Sequence, residues 1–97
     1  SDDRPENLTT KVTNINDKYH VRLFDNEKVV DEMVCNDKID IGYCCAIMLR
    51  WYDKMGGTSK MADAARGRMQ RKSNYKPTGK VWTKVQWERK EKKKLNK

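Results

Sequence analysis

The sequence predicts an α+β fold, a three-stranded antiparallel meander packed on a central helix, followed by a second basic helix and a C-terminal helical tail. Three observations predict it. Between residues 8 and 35, three β-rich runs follow one another across short turn clusters, and short loops between neighbouring strands favour an antiparallel meander. From Asp37 onward the apolar period lengthens from 2 to about 3.6 residues. Charge then changes sign along the chain. Residues 1–50 carry seven basic and ten acidic side chains, whereas residues 51–97 carry fifteen basic and four acidic, for a net charge of +8. Ninety-seven residues leave room for one core and no second.

Residues 1–7, "SDDRPEN", read as a disordered, polar lead-in without signal-peptide features. Residues 8–72 read as the compact domain. "LTTKVT" is rich in threonine and valine and ends at the turn cluster "NIND". "KYHVRLF" alternates, with Tyr19, Val21 and Leu23 on one face and His20, Arg22 and Phe24 on the other. After the turn "DNEK", "VVDEMVC" forms a third strand, expected to place Val30 and Val34 on one side and Val29, Met33 and Cys35 on the other.

"NDKIDIGYCCAIMLRWYDKMGG" is the clearest helix, expected from Ile39 to Met55. Asp37 caps it, Asp40 adds a second carboxylate near the positive end of the dipole, and Gly56 and Gly57 stop it. Ile47, Trp51, Cys44, Met55, Met48, Ile41, Tyr52, Cys45 and Leu49 project onto one arc, wider than the ~100° stripe of an ordinary surface helix. Such an arc must be covered on more than one side, by the sheet and by a second helix or a second subunit; a homodimer is therefore expected. "TSKMADAARGRMQRKS" makes a weaker helix with a narrow apolar edge, in which Gly67 costs about 1 kcal/mol. Residues 73–82 read as a linker and residues 83–97 as the basic tail.

The tail carries a local signature. With Thr83 as N-cap, Gln86 falls at N3 and completes a capping box, while Trp82 at N′ and Trp87 at N4 form a hydrophobic staple. Glu88 and Lys92 follow at the favourable i,i+4 spacing. A helix over about residues 84–94 results. Alternation of Val81, Thr83, Val85 and Trp87 keeps a strand reading open for the same stretch.

These patterns exclude some function classes. The longest uncharged run, "IGYCCAIML", is too short to span a membrane. Three cysteines, Cys35, Cys44 and Cys45, are expected as reduced thiols in a cytoplasmic compartment. Zinc sites use C-x₂₋₄-C knuckles, whereas Cys44 and Cys45 are adjacent and point about 100° apart on a helix, so no metal and no cofactor is expected. A lone His20, with no phosphate-cradling glycine loop and no acid/base dyad among Asp31, Glu32, Asp37 and Asp40, gives no catalytic residue and argues against an enzyme.

What remains is binding. Arg66, Arg68, Arg71, Lys72, Lys76, Lys80, Lys84, Arg89, Lys90, Lys92, Lys93 and Lys94 form an almost continuous basic run, and Tyr75, Trp82 and Trp87 interleave it as stacking platforms. Basic residues interleaved with aromatics point to nucleic acid or a nucleoprotein complex. The alternative is a protein-binding modulator of another enzyme or complex, docking its partner on the central helix through Ile47, Leu49 and Trp51.

Two resemblances bear on this choice. "GGTSKMADAARGRM" resembles the entry to the last helix of double-stranded RNA-binding domains, with Gly57, Ser59, Lys60, Ala64 and Ala65 at the matching positions. It departs from that family in interposing a whole helix before the motif and in lacking the family's first helix. Separately, "YHVRLF…KVVDEMV…DIGYCCAIMLRWYDKMGG", within residues 18–72, resembles the small accessory proteins of T4-like phages, particularly those infecting cyanobacteria. That resemblance carries no functional residue. It implies an intracellular accessory protein made during infection, acting on host transcription, translation or metabolism in the host cytoplasm.

Overall fold

The computed structural model describes residues 7–50, 52, 64, 65, 68, 70–72 and 74–96. Its sheet has four antiparallel strands in the order β1-β2-β3-β4, one more than the expected meander. β1 is Leu8–Ile15, β2 Lys18–Asp25, β3 Lys28–Cys35 and β4 Val81–Thr83. A 3₁₀ turn, Lys38–Asp40, leads into α1, Ile41–Arg50, and β4 runs directly into α2, Lys84–Leu95.

The first two turns are set by asparagine and aspartate. Ile15 pairs with Lys18 across a two-residue loop, and both loop residues, Asn16 and Asp17, sit at positive φ (51° and 64°). A hairpin loop with both residues in that region matches the twist of the flanking strands, and short polar side chains tolerate it best. Asn26 takes φ 56° in the next turn. Asn7, expected within a disordered lead-in, is pinned there: its carbonyl accepts from the Asn26 amide and its side chain donates to Asp25.

Val21, Leu23, Met33 and Cys35 are fully buried on one face of the sheet, against Cys44, Ile47 and Met48 of α1. The three α1 residues stand at the i, i+3, i+4 spacing of a core-facing stripe. Each such apolar side chain gains about 1.5–3 kcal/mol from burial. One expectation about β3 fails here. Leu23 pairs with Asp31 but Phe24 pairs with Val29, so Val30 is an extra residue in the ladder. A bulge of this kind reverses the alternation beyond it. Val30 therefore packs against the core cluster while Val29 is exposed, the opposite of the strict period-2 assignment.

The other face carries His20, Arg22, Glu32, Val34 and Trp82, and α2 covers part of it. Ile41, Cys45, Leu49 and Tyr52 are partly buried against the first-face core, so much of the wide arc is occupied by this chain's own sheet. Trp51 and Met55, with residues 56 and 57, lie outside the described residues. In the expected second helix, Ala64, Ala65, Arg68, Gln70, Arg71 and Lys72 are helical. Among the described residues no helix is long and apolar enough to cross a membrane.

Candidate functional site

The stretch expected as a linker is held firmly, and the residue that holds it is Asp40. Its carboxylate is fully buried and accepts from the Thr78 amide at 2.8 Å, the Gly79 amide at 2.8 Å and the Tyr75 hydroxyl at 3.2 Å. Hydrogen bonds to a charged group contribute about 1.5–3 kcal/mol each, enough to offset the burial of one carboxylate when three converge. Beside it the Asn36 side chain accepts from the Lys80 amide at 2.8 Å, and the Asn36 amide donates to the Lys80 carbonyl at 3.2 Å. A side chain at Gly79 would place its Cβ 2.2 Å from Asn36 Oδ1, so only glycine passes this point without displacing that contact. Asp37, expected to cap a helix from Ile39, caps the 3₁₀ turn that precedes α1, accepting from the Ile39 amide. Asp40 is the anchor that delivers the chain to β3, in the register Cys35–Val81, Val34–Trp82 and Met33–Thr83.

From β4 the tail folds as its local pattern predicts. Thr83 Oγ1 accepts from the Gln86 amide at 3.4 Å, and Gln86 Oε1 accepts from the Thr83 amide at 2.9 Å. Trp82 and Trp87 meet edge to face with ring centroids 5.2 Å apart. The strand reading holds only for Val81–Thr83; Val85 and Trp87 are helical. Trp87 also meets the ring of His20 at 5.5 Å and 86°. His20 Nδ1 lies 3.2 Å from Glu32 Oε2, which accepts from Arg22 Nε at 2.9 Å. The staple thus does double service, closing the first turn of α2 and seating it on the sheet.

Among the described residues, α2 helps to line two adjoining clefts that share Lys94. One, of about 510 Å³, is lined by Trp82, Gln86, Arg89, Lys90, Lys93 and Lys94. Lys90 Nζ stands 5.5 Å from the Trp82 ring centroid and 5.2 Å from that of Trp87. Loss of solvent there, and then the charge of Lys94, lowers the pKa of Lys90. The second cleft, of about 260 Å³, is lined by Ile15, Asn16, Lys18, His20, Trp87, Glu91 and Lys94. Lys94 Nζ is 3.7 Å from Glu91 Oε2, an exposed i,i+3 pair that adds little to stability.

Of the expected binding residues, the fold brings together Trp82, Trp87, Arg89, Lys90, Lys93 and Lys94. Lys92 is exposed on α2, Lys84 is half-buried in its first turn, and Lys76 and Lys80 are exposed on the approach to β4. Arg68, Arg71 and Lys72 are exposed on the helical segment, while Arg66 lies outside the described residues. Tyr75, expected as a stacking platform, is engaged within the chain. Its ring stacks on Tyr43 (centroids 5.1 Å apart, 29°) and its hydroxyl serves Asp40, although 44% of the residue remains exposed. Loss of solvent, and then the carboxylate it donates to, raises its pKa.

Ile47 is corrected. At 8% exposure it belongs to the core, because the sheet claims the α1 face it was expected to offer. Leu49 is half-buried against the same core, and Trp51 lies outside the described residues. Lys18 is the residue sequence reasoning missed. It sits in the acidic half, yet the β1–β2 turn carries it to the cleft that Lys94 also lines. A lone lysine after a turn cluster gives no local signal of that neighbourhood.

Cys35 and Cys44 are buried, and Cys35 Sγ donates to the Asp37 carbonyl at 3.5 Å. Burial raises the pKa of both thiols, which keeps them protonated core residues. Among the described residues no cluster of three His, Cys, Asp or Glu side chains is placed to hold a metal ion. Of the stretch resembling double-stranded RNA-binding domains, Gly57, Ser59 and Lys60 lie outside the described residues, and Ala64 and Ala65 are helical. Comparison with protein-family models, with curated proteins and with solved structures returned no match.

Proposed function

We propose that this chain is a small non-catalytic binding protein that engages nucleic acid, alone or within a nucleoprotein complex, through its basic C-terminal half. The observation that carries the reading is the groove between β4 and α2, which Trp82 lines together with Arg89, Lys90, Lys93 and Lys94. Polyanions with flat apolar faces fit such a surface: phosphates meet the cations and bases meet the indole. The energies also favour exchange. An exposed cation–π contact such as that of Lys90 contributes about 0.5–1 kcal/mol. Stacking of a base on an aromatic side chain contributes about 1–3 kcal/mol. The resemblance to phage accessory proteins is compatible with this reading and would place its target in an infected host. Docking of a protein partner through α1 is the weaker reading, since Ile47 is spent on the core.

Titration with labelled RNA and DNA at graded salt tests the proposal. If about five phosphates are neutralised, affinity falls roughly 500-fold between about 50 and 200 mM salt. Failure to bind either polymer at the lower salt overturns it.

A further inference from the structure

Resting on that reading, we infer that the groove takes a single strand rather than a duplex. A base stacks on Trp82 in place of Lys90, and the displaced ammonium moves to the adjoining phosphate. The strand then continues over Lys94 towards Lys18. Four observations lead there. First, Trp82 lines the groove with Lys90 over its ring, and only an unpaired base can present its face to an indole; a duplex keeps those faces stacked inside. Second, Lys90 is held over both indoles by its ammonium, on a flexible four-carbon stem that can swing to a phosphate. Third, no acidic side chain among the described residues lines the groove, whereas Glu91 lines the adjoining cleft, where Lys94 stands beside it. Fourth, Lys94 lines both clefts, and Lys18 lines the second, so cations continue from the groove into the adjoining cleft.

Trp87 plays a different part. Its ring already meets Trp82, His20 and Lys90, so it supports the platform and leaves stacking to Trp82.

The test is anisotropy titration of the full chain with oligo-dT and oligo-rU of about 10 nucleotides and with a duplex of equal length, monitoring tryptophan emission. Single strands are expected to bind more tightly and to change that emission. Trp82→Leu should weaken single-strand binding roughly 5- to 150-fold and weaken duplex binding by clearly less. Lys90→Met should flatten the salt slope by about 0.7, the share of one phosphate on a single strand. Far-UV circular dichroism reports whether each variant folds. Should Trp82→Leu unfold, acrylamide quenching of the wild-type protein replaces it, and bound oligo-dT should shield the tryptophan signal. Equal affinity for both forms with unaltered emission overturns the single-strand inference and leaves nucleic-acid binding standing. An unchanged salt slope for Lys90→Met overturns the exchange of Lys90. Absence of binding to any oligonucleotide at low salt overturns both readings together.

Discussion

The two faces of the sheet are built on different physics. On one, Val21, Leu23, Met33 and Cys35 meet Cys44, Ile47 and Met48 of α1 in a dry, apolar layer. On the other, α2 buries no side chain completely and is seated by Trp87 against His20, with the Glu32–Arg22 pair beside it. The first face draws its stability from apolar area removed from water. The second depends on a cap, a staple and a strand three residues long. The difference teaches why the charged helix can stay charged. A helix placed by its first turn does not need an apolar stripe along its length, and Arg89, Lys92 and Lys93 remain exposed. Elements held by few buried contacts open most easily, and binding surfaces are often drawn from them.

Three substitutions would break or sharpen that contrast. The largest effect is expected at Leu23→Ala, which leaves a cavity in the dry layer and should cost about 2–5 kcal/mol. Urea unfolding should show both faces lost in one transition; separate transitions would mean that the faces do not share a core. Asp40→Ala should cost about 3 kcal/mol by orphaning the amides of Thr78 and Gly79 and the Tyr75 hydroxyl. Its signature is regional. Amide exchange should accelerate across β4 and α2 before it does in β2 and α1, and unchanged protection of β4 would show that Asp40 does not position it. Thr83→Ala is the smallest, about 0.5–2 kcal/mol, confined to the first turn of α2. Backbone chemical shifts over residues 84–88 should move toward coil while those of Val21 and Met33 stay in place. A shift spread evenly over the chain would count against a locally held helix.

Legibility followed the range of the interactions. Thr83, Gln86, Trp82 and Trp87 lie within six consecutive residues, so their capping box and staple could be read before any fold was known. The turns at Asn16–Asp17 and Asn26 were legible for the same reason, and so was the sharing of one face by Val21 and Leu23, which the structure buries. Val30 was not. Its bulge depends on how β3 meets β2, and one inserted residue reverses every inference drawn from period 2. Asp40 was legible only in part: its place in the first turn is local, whereas its hydrogen-bond partners come 35 to 39 residues later.

Composition and local pattern thus account for the class of fold, the sign and location of the charge, the three-strand meander and the stapled helix, since each rests on contacts a few residues long. The fourth strand, the seating of α2 on the second face, the loss of Ile47 to the core and the arrival of Lys18 beside Lys94 follow from the folded chain alone. Their physical cause is common to all four. A buried carboxylate draws a distant segment to the edge of β3, and the sheet then presents two faces that must each be covered by whatever the chain brings within reach.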